Sequence, residues 1–470
     1  MDLRRAVVSV FGSSILQNIT SFAIIAYFSR SLGTSALGSF FLFQSILSTL
    51  VIPVDLGLRI GIEKRISEGK DASEILTTGL VLKLCLLVAS LLGIYLFRGQ
   101  LNSYIGVDVA VLLGIALVLN ELGQVGRYTL RGEERVSESS IYRPLRTIMW
   151  GLAGGVFVMF GFSEVALFWG YVVGLFTAMI VTLWLMDTAL GRPSRSTAQS
   201  ILGYSKFAFL GDVGGVIYNW TDVILLGVFV SQTAVGAYEI AWKVAAVSLM
   251  LSNAVQTSIF PSANAWGADE EYERLEKLIE NAFVPSFYLV IPATIGSVVV
   301  GSEILALVFS VDYPLIHIVL LLLFLEKLQR AFILPLVAPM HAIGKVNYAA
   351  YTTILGVVVN LISNFMLIPP FSVVGAAVGT TLGGFASAAP HTWLLSREVD
   401  IRVPLRSIGW LIISGSIMGI ALYRVKVEIV PIGQIELVTL IVGGALLYSG
   451  LSVISGRIRG EIIHLTQSIV

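Results

Sequence analysis

The chain of 470 residues has 30 basic and 30 acidic side chains, so its formal net charge of +0 does not indicate a nucleic-acid or acidic partner. Hydrophobic residues make up 56% of the sequence and charged residues only 13%, and the mean hydropathy is +0.87. A soluble domain carries roughly a quarter charged residues, so this composition excludes a soluble protein and predicts one that spans the bilayer. The single cysteine, Cys85, excludes a disulfide framework and a cysteine metal site.

About fourteen apolar runs follow one another along the chain, and a membrane-spanning helix needs roughly twenty residues. The first run begins directly after Arg4 and Arg5 and is longer than the apolar core of a cleaved signal, which predicts an uncleaved first span. The runs are centred near Phe22, Thr49, Val88, Ile115, Gly154, Thr177, Asn219, Val247, Ile291, Leu325, Val357, Gly379, Gly415 and Leu446. The sequence therefore predicts an all-α integral membrane protein with about 14 transmembrane helices.

Basic residues concentrate in the tails and loops of one side of this arrangement. With fourteen spans, about 22 of the 30 basic residues fall on that side, and the opposite side holds only Arg30, Arg98, Arg424 and Lys426. Because basic loops stay in the cytoplasm, both termini are predicted to be cytoplasmic in a multi-pass protein of the cell membrane. A missed or invented span would reverse every later loop, so the asymmetry also supports the number of spans.

A short segment between the first two spans recurs later in the chain. Residues 34–40 read TSALGSF, and about 198 residues further on, residues 232–238 read QTAVGAY. Six spans separate the copies, so both run the same way through the bilayer and form parallel repeats about an axis near the membrane normal. We therefore predict a six-helix bundle over residues 1–200, a second over 201–398 and two additional transmembrane helices over 399–470.

Ionisable residues inside spans are costly and are functional candidates by default. In the second bundle, Glu239 and Lys243 lie four residues apart on one span, and Glu326 and Arg330 lie four apart on another. Each pair could therefore neutralise itself along its own helix. Lys327 is then expected to lie near mid-membrane without a local partner. Together these side chains predict a transport path that is not wholly apolar.

The remaining intramembrane charges are more dispersed. Lys83 lies about two turns into the third span and is long enough to snorkel to the cytoplasmic interface, while Asp55 and Glu121 are expected to have structural roles near cytoplasmic ends. Asp222 lies near the bilayer centre of the seventh span. The small residues between positions 375 and 384 form a face expected to serve helix packing. The four histidines have no metal-ligand spacing, and we identify no enzyme constellation.

Several short motifs together resemble the oligosaccharide flippase branch of the multidrug, oligosaccharidyl-lipid and polysaccharide exporter superfamily. The matching pieces span most of the chain and comprise residues 34–40 and 233–238, the run 54–58 that closes the second span, Asp222, residues 343–345, Asn360, Asn364, Pro369 and residues 375–380. Lipid II flippases of this superfamily carry several arginines deep in the first bundle, whereas the first span here offers Gln17 and Asn18. This departure disfavours a peptidoglycan precursor as substrate.

The resemblance implies two bundles around a central cavity that faces the two sides of the membrane alternately. The implied substrate is a polyprenyl (undecaprenyl or dolichyl) phosphate or diphosphate bearing an oligosaccharide, moved from the cytoplasmic to the outer leaflet for surface polysaccharide or glycoprotein biosynthesis. A phosphate deep in the membrane needs fixed positive charge. The predicted substrate-binding residues are Lys243, Lys327, Arg330, Asn360 and Asn364, and the predicted coupling residues for H⁺ or Na⁺ are Asp222 and Glu239. No other cofactor and no metal site are expected.

Two alternatives stay open from the sequence. A cation-coupled exporter of drugs or organic cations from the same superfamily would use Asp222 and Glu239. A membrane-embedded glycan polymerase or ligase would present its acids or bases on a sizeable outer loop, and the outer loops here are short. The expected partners are the lipid-linked oligosaccharide, membrane lipids and glycan polymerase or oligosaccharyltransferase machinery. The chain is expected to be a monomer without a nucleic-acid partner.

Overall fold

The computed structural model describes residues 3–429 and 431–455, without the side chains of residues 3–11, 13–15, 206–208, 210–218 and 268, and all regular secondary structure in this part is helical. Residues 1–2 and 456–470, at the two termini predicted to be cytoplasmic, lie outside the described residues. The helices are α1 (Leu3–Asp55), α2 (Leu58–Ser67), α3 (Ala72–Leu96), α4 (Arg98–Ile105), α5 (Ala110–Gly132), α6 (Val136–Ser139), α7 (Tyr142–Met159), α8 (Val165–Leu185), α9 (Arg195–Phe229), α10 (Gln232–Val247), α11 (Met250–Ala268), α12 (Tyr272–Tyr288), α13 (Val290–Glu303), α14 (Ile316–Ala342), α15 (Val346–Leu395), α16 (Leu405–Glu428) and α17 (Gln434–Ile454). A π-helical turn, Ile304–Val308, follows α13.

The two longest helices each contain two of the predicted spans. Helix α1 is broken at Gly33, whose φ of 86° is readily adopted only by glycine, and α15 is broken at Ser372. The apolar part of α1, Leu16–Asp55, has 40 residues and α15 has 50, so each is long enough for about two crossings of roughly twenty residues. Each half of these helices therefore corresponds to one predicted span.

Eight helices or joined helices in the described part of the chain are long and apolar enough to cross a membrane, and a ninth is counted if α10 and α11, bent by 54°, form one span. Helix α14 is not among them, because three charged residues lie close together in its middle, namely Glu326, Lys327 and Arg330. All fourteen predicted centres nevertheless lie within helices. The all-helical, polytopic membrane fold predicted from the sequence is confirmed.

The chain divides into two compact units, unit 1 (Met1–Gly236) and unit 2 (Ala237–Val470). Unit 1 has an aromatic centre where α1, α7 and α8 meet: Phe40 stacks on Trp150 with ring centroids 4.8 Å apart, and Phe168 and Tyr171 meet Phe40 edge-on. Helix α9 packs on α1, α2 and α3, which is why the division falls at Gly236 rather than near residue 200. The bundle boundaries predicted at residues 200 and 398 stay a prediction.

In unit 2, α11, α12 and α14 share one apolar core, and α13, α16 and α17 share another that includes Leu411, Met418 and Leu437. The two halves of α15 pack closely, since Gly379 lies against the side chain of Asn364, where a larger residue would not fit. The prediction that the small residues between 375 and 384 serve helix packing is confirmed.

Candidate functional site

Two of the predicted substrate-binding lysines meet on one aromatic ring in unit 2. Lys243 follows Trp242 on α10, and Lys327 approaches from α14. Their Nζ atoms lie 5.9 Å and 4.7 Å, respectively, from the centroid of the Trp242 ring. Cations over an indole face gain cation–π attraction, which is strongest where water is excluded. Trp242 therefore brings together two positive charges that the sequence places 84 residues apart.

Each of these lysines is paired with a carboxylate of its own helix. Lys243 Nζ lies 2.9 Å from Glu239 Oε1, as the four-residue spacing predicts, and Lys327 forms an ion pair with Glu326. The expectation that Lys327 lacks a local partner is therefore wrong. Lys327 is only 2% exposed, and a buried lone ammonium is so costly that it pairs even with the adjacent residue of its helix.

The other predicted substrate-binding residues also lie on α14 and α15. Arg330 is half-buried, one turn beyond Lys327. Asn364 is fully buried and donates from Nδ2 to Asn360 Oδ1 at 3.3 Å, while Asn360 itself is half-buried. Asn364 thus contributes to helix packing within α15, and Asn360 is the more accessible of the two amides. Substrate binding by all three stays a prediction.

The predicted coupling carboxylates belong to different helices, Asp222 to α9 in unit 1 and Glu239 to α10. Both are buried, with 7% and 5% of their surface exposed. Buried carboxylates are candidates for proton or sodium binding because ionisation in an apolar setting is costly. Their coupling role stays a prediction.

A buried ionic network in unit 1 joins three predicted spans. Lys83 Nζ lies 2.7 Å from Asp55 Oδ1 and 2.6 Å from Glu121 Oε2, and all three residues are at most 2% exposed. The suggestion that Lys83 snorkels to the interface is therefore wrong: its ammonium turns inward, because two carboxylates there offset its desolvation. The structural roles expected for Asp55 and Glu121 agree with this geometry. Only the packing of α3 against α1 and α5 brings the three charges together.

Four arginines of unit 1, which the sequence indicated only as basic residues of loops, lie around tyrosine rings. The Cζ atoms of three of them lie 5.2 to 5.5 Å from the centroid of the Tyr128 ring, namely Arg59, Arg127 and Arg131. Arg146 lies over Tyr142 and Tyr171, at 5.9 Å and 5.6 Å. The sequence contained one sign of this clustering: Arg127 and Arg131 are four residues apart on α5, which places both on one face of the helix.

Unit 2 also contains an apolar groove of about 590 Å³ between α14 and the second half of α15. Its lining residues are Leu325, Leu328, Gln329, Phe332, Phe385, Ala388, Ala389, Thr392 and Trp393. The guanidinium of Arg397 stacks on Trp393, with its Cζ atom 3.7 Å from the ring centroid. The groove therefore combines an apolar wall with a cation at one of its lining residues.

Residues 11–315 match the model of a protein family described as polysaccharide biosynthesis protein. The chain belongs to this family. One of its relatives is the probable low-salt glycan biosynthesis flippase Agl15 of Haloferax volcanii. The two sequences are 36% identical over 459 residues, which cover 98% of this chain and 97% of that protein. This chain is 29% identical over 453 residues to the probable flippase AglR of the same organism, covering 95% and 94% of the two chains.

Solved structures of membrane transporters share the fold of this polysaccharide biosynthesis family member. The lipid II flippase MurJ in an inward closed conformation matches with a TM-score of 0.78 at 12% identity, over 96% of this chain and 98% of that one. An inward-facing multidrug resistance MATE family transporter of the MOP superfamily matches with a TM-score of 0.66 at 18% identity, over 82% and 94%. At these identities the likeness concerns the fold alone. The predicted resemblance to the flippase branch is confirmed. The prediction that the protein is a transporter rather than an enzyme is also confirmed.

Proposed function

We propose that this protein moves a polyprenyl phosphate or diphosphate bearing an oligosaccharide from the cytoplasmic to the outer leaflet of the cell membrane by alternating access, with both termini in the cytoplasm. The observation that carries the proposal is the 36% identity, over 98% of the chain, to a probable glycan biosynthesis flippase. The product would serve surface polysaccharide or glycoprotein biosynthesis. Further proposals are a monomeric state and delivery to glycan polymerase or oligosaccharyltransferase machinery.

The charges around Trp242 fit an anionic headgroup. Lys243 and Lys327 pair with Glu239 and Glu326, and Arg330 follows Lys327 by one turn of α14, so these five residues have a surplus of one positive charge. A cation exporter would instead need a surplus of negative charge where its substrate binds. The balance therefore favours a phosphate over an organic cation.

The pairing of Lys243 with Glu239 also gives a physical route to coupling. A substrate phosphate and the Glu239 carboxylate would compete for the same ammonium, since both are anionic hydrogen-bond acceptors. A proton or a sodium ion on Glu239 would release Lys243 for the phosphate. Binding of the coupling cation and of the substrate would then favour each other, and this reciprocity is what coupled transport requires.

The apolar groove in unit 2 suits the isoprenoid part of the substrate. Seven of its nine lining residues are apolar, and the exceptions are Gln329 and Thr392. An isoprenoid chain lying along this wall would keep apolar surface away from water, which contributes about 25 cal/mol per Å² buried. The cationic Arg397 on Trp393 would lie beside the chain rather than within the apolar wall.

The experiment uses proteoliposomes that contain only the purified protein and a fluorescent lipid-linked oligosaccharide. We expect transbilayer movement with the native protein and its loss in K243A, K327A and R330A, each checked for folding by size-exclusion chromatography. K277A is the matched control, because Lys277 is exposed on α12. If the native protein moves no labelled lipid, the function is wrong. If all three variants match K277A, the phosphate site around Trp242 is wrong while the function stands.

A further inference from the structure

Unit 1 contains a second concentration of positive charge, which we name the arginine cluster: Arg59, Arg127, Arg131, Arg143 and Arg146. Arg59 belongs to α2, the next two to the end of α5 and the last two to the start of α7. Three guanidinium groups surround the Tyr128 ring, and Arg146 is held between Tyr142 and Tyr171. Residues from three helices thus converge on one region of one unit.

The charges in this region are not balanced. Arg143 lies close enough to Arg59, Arg131 and Arg146 for their charges to repel one another, and Arg127 is repelled by Arg143 and Arg131. Arg131 pairs with Glu63 at 3.0 Å, and Arg59 lies 3.5 Å from Asp55. Among the described residues, no ion pair joins Arg127, Arg143 or Arg146 to a carboxylate.

The surplus can be counted by including the adjoining network of Lys83. The five arginines and Lys83 give six positive charges, and Asp55, Glu63 and Glu121 give three negative charges. Three positive charges are therefore left over, compared with one around Trp242. A diphosphate that joins a prenyl chain to a sugar carries two negative charges, and a fully ionised prenyl diphosphate carries three, so this surplus is sufficient to neutralise either group.

Cytoplasmic retention of basic loops explains the number of arginines on this side but not their convergence. Dispersed arginines would retain the loops equally well and would avoid mutual repulsion. Arg131 and Arg59 also have 36% and 15% of their side chains exposed, and Arg143 is exposed, so the cluster is accessible from outside. Guanidinium groups present planar pairs of donors that match phosphate oxygens, and stacking on tyrosine holds the planes in place.

We propose that the arginine cluster binds the phosphate or diphosphate group of the lipid-linked substrate when it enters from the cytoplasmic side, a step that rests on the proposed function. Arg127 and Arg143, which lack carboxylate partners among the described residues, supply the principal donors. Tyr128 positions the guanidinium groups of Arg59, Arg127 and Arg131. The phosphate group makes this contact and the prenyl tail keeps the ligand in the bilayer or the detergent micelle, so a short prenyl diphosphate is the probe and should bind more tightly than free pyrophosphate.

The test measures binding of farnesyl diphosphate, farnesyl monophosphate, farnesol and inorganic pyrophosphate to the full-length protein in detergent by isothermal titration calorimetry. We expect affinity to fall from the diphosphate to the monophosphate and to farnesol. R127Q and R143Q should each weaken diphosphate binding about tenfold, which is the loss expected for one charge-assisted hydrogen bond. R127K should lose part of the affinity, since it keeps the charge without the planar fork.

R274Q is the matched control, because Arg274 is an exposed arginine of α12 in unit 2 and pairs with Glu271, the residue that precedes this helix. R143Q should raise the melting temperature of the ligand-free protein, since it removes like-charge repulsion, whereas loss of a merely structural arginine would lower it. Binding by R127Q and R143Q that equals that of R274Q would overturn the proposal. So would equal competition by phosphatidylglycerol added to the same detergent micelles, because the cluster would then bind any anionic lipid headgroup.

Transport and binding can fail separately. If the native protein moves lipid-linked oligosaccharide and R127Q and R143Q bind and move it normally, the cluster is not a binding site although the function holds. If binding depends on these arginines but no lipid is moved, the cluster is a diphosphate site and the proposed function is wrong. If pyrophosphate binds as tightly as farnesyl diphosphate, the ligand is a free phosphate compound rather than a lipid, which also overturns the proposal.

Discussion

Gly38 and Gly236 occupy equivalent positions of the internal repeat and lie against each other's backbone. A Cβ atom built on either glycine would fall 3.0 Å from the backbone nitrogen of the other. The same Cβ atoms would lie closer still to the carbonyl oxygens of Gln232 and Thr34, which are themselves equivalent positions. The contact is therefore reciprocal, as expected where two copies of one segment meet about a local two-fold axis.

This close approach predicts that G38A destabilises the protein. A methyl group at Gly38 would meet backbone atoms rather than a movable side chain, and overpacking of this kind costs about 1–3 kcal/mol. We expect a lower melting temperature in detergent. G93A in α3 is the control, because a Cβ atom there has no neighbour within 4 Å and alanine favours the helix. A G38A protein as stable as G93A would contradict the reciprocal contact.

The buried network of Lys83 predicts a larger loss of stability for K83A. Removing the ammonium leaves Asp55 and Glu121 buried without their shared cation, and breaking a buried pair in this way costs about 3–5 kcal/mol. The melting temperature of K83A should fall well below that of K70A, whose lysine forms a mostly exposed pair with Glu68. K83M combined with E121Q should recover part of the loss. Equal melting of K83A and K70A would show that the network contributes little.

Much of the fold could be predicted because hydropathy and loop charge act along the chain. Helices α1 and α15 are each broken into two halves, and each half corresponds to a separate apolar run of the sequence. The small residues of α15 also predicted close packing correctly, since a Cβ atom at Gly379 would clash with the side chain of Asn364. These properties depend on local composition, which can be determined from the sequence without knowing which helices are neighbours.

The sites were less predictable because they depend on helix neighbours. Lys83, Asp55 and Glu121 are separated by 28 and 38 residues, and nothing in their spacing indicates that they meet. Arg143 likewise joins the other arginines only through packing of the helices of unit 1. The Glu239–Lys243 pair was predictable, because a four-residue spacing on one helix fixes the contact.

Trp242 predicts a measurable contribution to substrate affinity. The ring attracts both Lys243 and Lys327, and a desolvated cation–π contact contributes up to about 2 kcal/mol. W242L should therefore raise the half-saturating concentration of lipid-linked oligosaccharide in proteoliposomes by up to about thirtyfold, while W242F keeps a π face and loses less. If the two variants have the same half-saturating concentration as the native protein, the ring does not position the lysines for substrate.

Asn360 and Asn364 are predicted to differ in their effects. Asn364 is fully buried against Gly379, so N364A should lower the melting temperature by removing a buried hydrogen bond of about 1 kcal/mol. Asn360 is half-buried, so N360A should mainly raise the half-saturating substrate concentration. Both quantities are measured on each variant. An unchanged half-saturating concentration for N360A would remove it from the substrate-binding residues.

Glu239 predicts how the protein responds to a proton gradient. An ionised Glu239 holds Lys243 at 2.9 Å, and protonation releases it, so in a proton-coupled protein the native rate should increase with the gradient. Glutamine cannot titrate, and E239Q should therefore move substrate at a rate that no longer depends on the gradient. E303Q is the matched control, since Glu303 also pairs with a lysine of unit 2, Lys426, at 2.6 Å. Proteoliposomes with an imposed pH difference measure both variants. If E239Q responds to the gradient as E303Q does, Glu239 is not the coupling residue and its pairing with Lys243 is structural.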